Sequence, residues 1–237
     1  MTQQATMSFF DHLGELRSRV IKCVVAILVG SVVAFFFNEW ILEKLAQPYI
    51  DVTGEGLAFF RPTEAFSLVM KLSLFGGVII ASPVIIYQLW RFVSPALTKR
   101  ERRYLIPLST ILAVLFAAGV ALGYWSLERG LSFLIGFGGP GLEAVVGAEF
   151  YLSFAMRFIL AFGLAFEFPV FLFTAAAAGL VTSAKLRAQW RWVVLGIVVG
   201  AALMTPSGDP LTLTLLSAPL YVLFELTLLA IKLILKR

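Results

Sequence analysis

Six long apolar runs dominate this sequence, each at or near the length that crosses a bilayer, and they leave little chain for anything else. They fall over residues 20–37, 66–93, 104–125, 150–178, 192–204 and 211–231. A helix needs about 20 apolar residues to cross roughly 30 Å of hydrocarbon. In a chain of 237 residues these runs exclude a sizeable soluble domain. Composition agrees, since 60% of residues are hydrophobic and 14% charged, with a mean hydropathy of +0.93, outside the range of soluble domains. The sequence therefore predicts an all-α, polytopic membrane protein, a single integral-membrane domain over residues 1–237 with six transmembrane helices. The fifth and sixth spans are expected to be short. The fifth, between Arg191 and "TPSGDP", offers about 13 apolar residues, or roughly 20 Å of helix. The sixth is marginal once its ends fray. Short spans need local bilayer thinning or shelter from neighbouring helices. Pro83, Pro107, Pro169 and Pro219 lie inside spans or at their ends, where neighbours must satisfy the backbone groups they free. Bent helices forming a concave body are expected.

Charge sets the orientation. Arg17, Arg19 and Lys22 precede or open the first span, Lys99, Arg100, Arg102 and Arg103 separate the second from the third, Lys185, Arg187 and Arg191 separate the fourth from the fifth, and Lys232, Lys236 and Arg237 end the chain. The alternate connections are acidic, with Glu39, Glu43, Asp51, Glu55, Glu64, Glu128, Glu143, Glu149 and Asp209. The positive-inside rule places both termini in the cytoplasm. The residues before the first span are too long and too mixed in charge for a secretory n-region, and no small-residue cleavage site follows, so the first span is expected to be retained. One cysteine, Cys23, and one histidine, His12, exclude an internal disulfide, a cysteine cluster and paired-histidine metal chemistry. No cofactor is expected. No internal repeat is visible, which weighs against a transporter of duplicated halves.

The candidate site residues are the acids. In "SFFDHLGELRSRV" Ser8 caps a helix with Asp11 three residues on, and Phe9, Leu13, Leu16 and Val20 recur as one apolar stripe. This reads as an interfacial helix running into the first span. Glu15 and Arg19 stand at i, i+4 on its polar side, where an exposed ion pair is worth a few tenths of a kcal/mol. In "RFVSPALTKRERRY" Glu101 is surrounded by basic residues. It either relieves repulsion in a loop attracted to lipid headgroups or accepts a cationic guest, since a guanidinium prefers a planar carboxylate with two parallel bonds. Glu167 sits amid "FGLAFEFPVFLFT", at about mid-depth of the fourth span, where a carboxylate is costly and marks a functional site unless it caps backbone freed by Pro169. Arg157 lies about 15 Å from it along the helix and is expected to reach Glu149 or lipid phosphates instead. Glu225, in the sixth span, is assigned to a polar interior, with pairing to a backbone or hydroxyl group as the plainer alternative.

The segments "HLGELRSR", "SPVIIYQLWRFVSPALTKRERR", "YLSFAMRFILAFGLAFEFPV", "TP" followed by Asp209, and "PLYVLFE" together resemble the TatC family, the multispanning receptor subunit of the twin-arginine protein translocase. The resemblance covers nearly the whole chain in order. It implies a six-span, glove-shaped protein with a cytoplasmic face that receives signal peptides carrying consecutive arginines. Glu15 and Glu101 match the two carboxylates that take those arginines, with Arg17, Arg19, Phe92 and Arg102 in the same surface. The resemblance further implies that Glu167 meets the membrane helices of the single-span partners TatA and TatB, that Glu225 matches a family acid, and that Pro48 and Asp209 shape the outer cap, although "TPSGDP" carries inserted residues around Asp209.

The function expected is thus a non-enzymatic receptor and translocase core. It would bind twin-arginine signal peptides, assemble as an oligomer with single-span partners and lipids in a prokaryotic plasma membrane, and export folded proteins with the protonmotive force. No nucleic-acid partner is expected. The rival is a proton-coupled small-solute transporter in which Glu167 and Glu225 relay protons.

Overall fold

The computed structural model describes residues 9–93, 105–138, 145–177, 179–205 and 207–235, and among them every regular element is a helix. In chain order these are α1 (Phe9–Phe36), α2 (Asn38–Thr53), α3 (Glu64–Val93), α4 (Leu105–Gly136), α5 (Ala148–Ala165), α6 (Phe168–Ala177), α7 (Ser183–Ala188), α8 (Trp190–Met204) and α9 (Pro210–Ala230), the last continued by a π-helical turn, Ile231–Leu235. Five segments are long and apolar enough to cross a membrane: Leu13–Phe36, Glu64–Phe92, Ser109–Gly136, Ala148–Ala177 and Pro210–Leu235. The shorter apolar helix α8 has 15 residues. The all-helical, multi-pass reading of the sequence holds.

Several boundaries differ from expectation, each for a local reason. The interfacial helix and the first span are one unbroken α1; the proposed Ser8 cap lies outside the described residues. The third span does not stop at residue 125 but continues to Gly136. Glu128 and Arg129 are tolerated there because they face outward, with the Arg129 guanidinium 3.5 Å from the Trp125 ring centre, while Leu127 and Leu131 stay buried on the other side. The fourth span breaks at Phe166–Glu167. Pro169 has no N–H for the Ala165 carbonyl, and the chain tightens there, Glu167 N donating to Leu164 O at 3.1 Å before Val170 N resumes on Glu167 O. The sixth span is not short, reaching 26 residues. Its start is fixed by Asp209 as N-cap and Pro210 in the first turn, and its end is extended by the π turn. Helices α2 and α7 were not anticipated.

Two compact units make up the chain, Met1–Asn38 with Leu72–Ala113, and Glu39–Lys71 with Val114–Arg237. In the first, α1 crosses the middle of α3 with almost no side chain between the backbones. A Cβ on Gly30 would lie 2.7 Å from the Gly77 carbonyl oxygen, and one on Gly77 would strike Ser31, the small-residue contact that lets membrane helices approach closely. Pro83 frees the Ile79 carbonyl, and the neighbouring Ser82 hydroxyl donates to it at 2.8 Å.

In the second unit α4 packs on α5 through Gly119, Gly123 and Gly163. A Cβ on Gly119 would lie 2.6 Å from the Phe162 carbonyl oxygen, and one on Gly163 would lie 2.9 Å from the Phe116 ring. The buried rings of Phe158 and Phe162 pack at a tilt, with centroids 4.8 Å apart and planes at 41°. α9 packs against α6, α7 and α8. Pro48, inside α2, has no N–H to offer the Lys44 carbonyl, which accepts the Tyr124 hydroxyl at 3.0 Å. The adjacent Leu45 carbonyl takes the buried Tyr151 hydroxyl at 2.9 Å. At Pro48 and Pro83, then, the freed acceptor is satisfied as the membrane setting requires.

Candidate functional site

The first group of candidate residues lies on α1 and α3 of one unit. Arg19 donates through Nε to Glu15 Oε1 at 3.1 Å, adds Nη2 to the same oxygen, and reaches Gln88 Oε1 on α3 through Nη1 at 3.3 Å. Arg19 and Gln88 each stand 11 residues from the Gly30–Gly77 crossing, 30 − 19 and 88 − 77, about 16 Å along antiparallel helices, which is why they meet. The pair is not the exposed one expected, because the Arg19 and Glu15 side chains are only 12% and 19% exposed. Glu15 Oε2 is buried and has no hydrogen-bond partner among the described residues. One carboxylate oxygen is thus held by a tethered guanidinium while the other remains an unused acceptor. Arg17 is exposed and Phe92 half-buried, both in the same unit. Glu101 and Arg102 lie outside the described residues.

Glu167 occupies the break between α5 and α6. It is 7% exposed, and its Oε1 is buried without a partner. The carboxyl makes no hydrogen bond to a described residue, so it does not cap backbone freed by Pro169. Its environment is apolar, with Phe166, Pro169 and Val170 buried beside it in sequence.

Glu225 is not in a closed polar interior. Both its oxygens accept from Arg187 Nη1, at 2.8 and 2.7 Å, and the Tyr221 hydroxyl adds a third bond at 3.1 Å. The Glu225 side chain keeps 28% of its surface exposed. Nor does Arg157 reach Glu149, which instead pairs with Lys71 at 2.5 Å. Pro48 is buried in α2. Asp209 caps α9, Oδ1 accepting from Thr212 N at 2.9 Å and Oδ2 from the Thr212 hydroxyl at 2.5 Å. Burial pushes the Asp209 carboxyl up, but hydrogen bonds from Ser207, from Thr212 and from the Leu211 backbone outweigh it and hold the carboxyl below its ordinary value.

Gln88 was not singled out from the sequence. Its only signal is an amide within the apolar run "VIIYQLW", and its partner is far away along the chain. Glu64 was likewise read only as part of an acidic connection. Its Oε2 accepts from the backbone N–H of Phe60 at 2.9 Å and of Arg61 at 3.3 Å, and its Oε1 from that of Glu149 at 2.9 Å, so one carboxylate fastens the segment before α3 to the start of α5. Among the described residues no three histidine, cysteine, aspartate or glutamate side chains gather as a metal site.

The family model described as Sec-independent protein translocase protein (TatC) matches residues 11–219. The Sec-independent protein translocase protein TatC of Aquifex aeolicus is 37% identical, over 94% of this chain and 93% of its own length. That of Frankia casuarinae is 38% identical over 95% of this chain, which spans 66% of the Frankia protein's length. The chloroplastic protein TATC of Pisum sativum is 36% identical over 92% of this chain and 62% of its own length. A crystal structure described as the twin-arginine translocase receptor TatC superposes with a TM-score of 0.81 at 37% identity, covering 94% of this chain and 100% of that one. The agreement of sequence and helical path leaves one assignment: the chain belongs to the TatC family of Sec-independent protein translocase proteins.

Proposed function

We propose that this chain is the receptor and core subunit of a twin-arginine translocase, binding the paired arginines of signal peptides on its cytoplasmic face. The observation that carries the reading is Glu15, which keeps one buried carboxylate oxygen without a partner beside an Arg19 already tied to Gln88. A guanidinium arriving at that oxygen gains a charge-assisted bond and relieves an unsatisfied buried acceptor. Arg19 positions Glu15, and Arg17, Phe92, Glu101 and Arg102 complete the recognition surface, Glu101 taking the second arginine. The receptor spans a prokaryotic plasma membrane six times with both termini in the cytoplasm, and Pro48 and Asp209 belong to its outer cap. Glu167 offers its unpartnered carboxyl to a polar group on the single membrane helix of a TatA- or TatB-type subunit. Export of folded proteins then draws on the protonmotive force, and the chain itself is no enzyme. The transporter reading is weakened by Glu225, whose oxygens are engaged by Arg187 and are poorly placed to relay protons with Glu167.

The test is binding of a labelled signal peptide carrying Arg-Arg or Lys-Lys to the purified protein in nanodiscs, repeated with Glu15→Ala and Glu101→Ala. Tight binding of the Arg-Arg peptide alone, lost in either variant, is expected. Equal binding of both peptides, indifferent to the substitutions, would overturn the receptor reading.

A further inference from the structure

Two charged side chains of the second unit have no role in the functions described above. Glu128 on α4 and Arg157 on α5 are both exposed, both lie within segments apolar enough to cross a membrane, and neither makes a hydrogen bond or ion pair with a described residue. Arg157 stands on a helix face among exposed apolar side chains, Phe150 at 79% and Leu164 at 58%, whereas Glu128 shares its surroundings with the Asp51 carboxylate, both acting on the Tyr124 hydroxyl. A guanidinium left among apolar side chains is costly and calls for a partner, and an acidic pair of side chains with no described cation bonded to Glu128 offers the complementary charge.

The packing of α4 on α5 fixes their relative height. The two helices run antiparallel, with a Cβ on Gly119 placed 2.9 Å from Gly163 Cα and one on Gly123 placed 3.1 Å from Ile159 Cα. Four residues along α4 therefore match four residues back along α5. Two residues further along each, Arg157 is level with Trp125. Glu128, three residues beyond Trp125, is about 4.5 Å farther toward the end of α4. Side chains tilt toward the N-terminus of their own helix, so Arg157 leans toward the height of Glu128 and Glu128 leans back toward that of Arg157.

We propose that Glu128 of one copy pairs with Arg157 of the next, joining copies of this chain side by side in the membrane, α4 of one against α5 of its neighbour. Copies inserted in the same sense are related by rotation about the membrane normal, which preserves height, so only groups at matching heights can meet. This pair satisfies that condition, and each copy carries both halves. A two-fold rotation forms the pair twice at one contact, and a higher-order rotation forms it once at each contact of a ring. It rests on membrane insertion alone and stands or falls independently of signal-peptide recognition. A lipid phosphate would engage Arg157 but leave Glu128 unpaired, and the carboxylate would repel it.

Ser132 and Ser153, one turn beyond each charge toward the same end of the two helices, permit a test that leaves the pair intact. Full-length protein carrying Cys23→Ala is co-expressed as two differently tagged forms, one with Ser132→Cys and the other with Ser153→Cys, and membranes are treated with a short bifunctional thiol reagent. A cross-linked dimer bearing both tags is expected. Its yield should fall about tenfold with Glu128→Arg or Arg157→Glu and recover when both reversals are made together. Absence of the mixed dimer, or a yield indifferent to either reversal, would overturn the proposal. Loss with Arg157→Glu alone, unchanged by Glu128→Arg and not rescued by the double reversal, would also overturn it and assign Arg157 to a lipid phosphate or to another helix.

Discussion

Glu15 and Glu167 each keep one carboxylate oxygen buried without a hydrogen-bond partner among the described residues, yet their neighbours give them different work. Glu15 stands beside a guanidinium held by Gln88 and keeps its second oxygen open to another cation. Glu15→Gln keeps the shape but removes the charge, and signal-peptide affinity is expected to fall on the order of tenfold or more in a titration where thermal stability stays near that of the parent. Glu167 makes no ion pair among the described residues. Glu167→Ala is expected to leave peptide affinity unchanged while reducing co-purification with single-span subunits, and undiminished co-purification would remove it from the partner surface. Asp209 is a structural acid. Losing its cap should cost about 1 kcal/mol, read as a lower Tm for Asp209→Ala in detergent. Its carboxyl is held below the ordinary value of 3.8. The stability it contributes is therefore present above that pH and is lost as pH falls through the lower, folded-state value. The parent should converge on Asp209→Ala in stability only in strong acid.

At the scale of elements, the contact between α1 and α3 depends on glycine. Gly30→Val would drive side-chain atoms into the Gly77 backbone, which cannot yield as a flexible side chain would, and overpacking of this kind costs about 1–3 kcal/mol. A clear drop in Tm is expected, together with weaker signal-peptide binding, because the same crossing sets the height at which Arg19 meets Gln88. A Gly30→Val protein as stable as the parent would show that the helices separate without loss. The sequence made some of these elements plain and hid others. Long apolar runs such as "LSLFGGVIIASPVIIYQLW" are legible because crossing a bilayer needs little besides length. Helix α2, "NEWILEKLAQPYIDVT", is not, since it carries charges and a proline and is held by Leu45, Pro48 and Tyr49 packing. The pairing of Glu15 with Arg19 follows from helical spacing. The part of Gln88 does not, because it depends on a crossing whose position no local pattern reveals. Pro169 could be recognised as a disturbance of the fourth span, but the break at Phe166–Glu167 requires knowing which carbonyls neighbouring helices leave unsatisfied.

At the scale of the whole molecule, topology turns on α8. Five long apolar segments would by themselves leave the two ends of the chain on opposite sides of a membrane, whereas a sixth crossing returns them to the same side. With 15 residues, α8 spans about 22 Å, short of the roughly 30 Å hydrocarbon core. Its apolar length is nevertheless supported by α9 and α5, against which it packs, and such shelter with local thinning lets a short helix cross. The flanking charges point the same way: Lys185, Arg187 and Arg191 lie before α8, and Lys232, Lys236 and Arg237 lie at or beyond the end of α9. The positive-inside rule predicts a cytoplasmic place for both sets, an expectation that α8 and α9 meet only as a pair of crossings. A topology reporter fused after Arg237 should therefore read as cytoplasmic, as should one placed at residue 180, while one at residue 208 should read as external. A cytoplasmic signal at 180 with external signals at both 208 and 237 would leave α8 crossing but not α9. External signals at 237 alone, with 180 and 208 both cytoplasmic, would make α8 a re-entrant or surface helix and reduce the protein to five crossings.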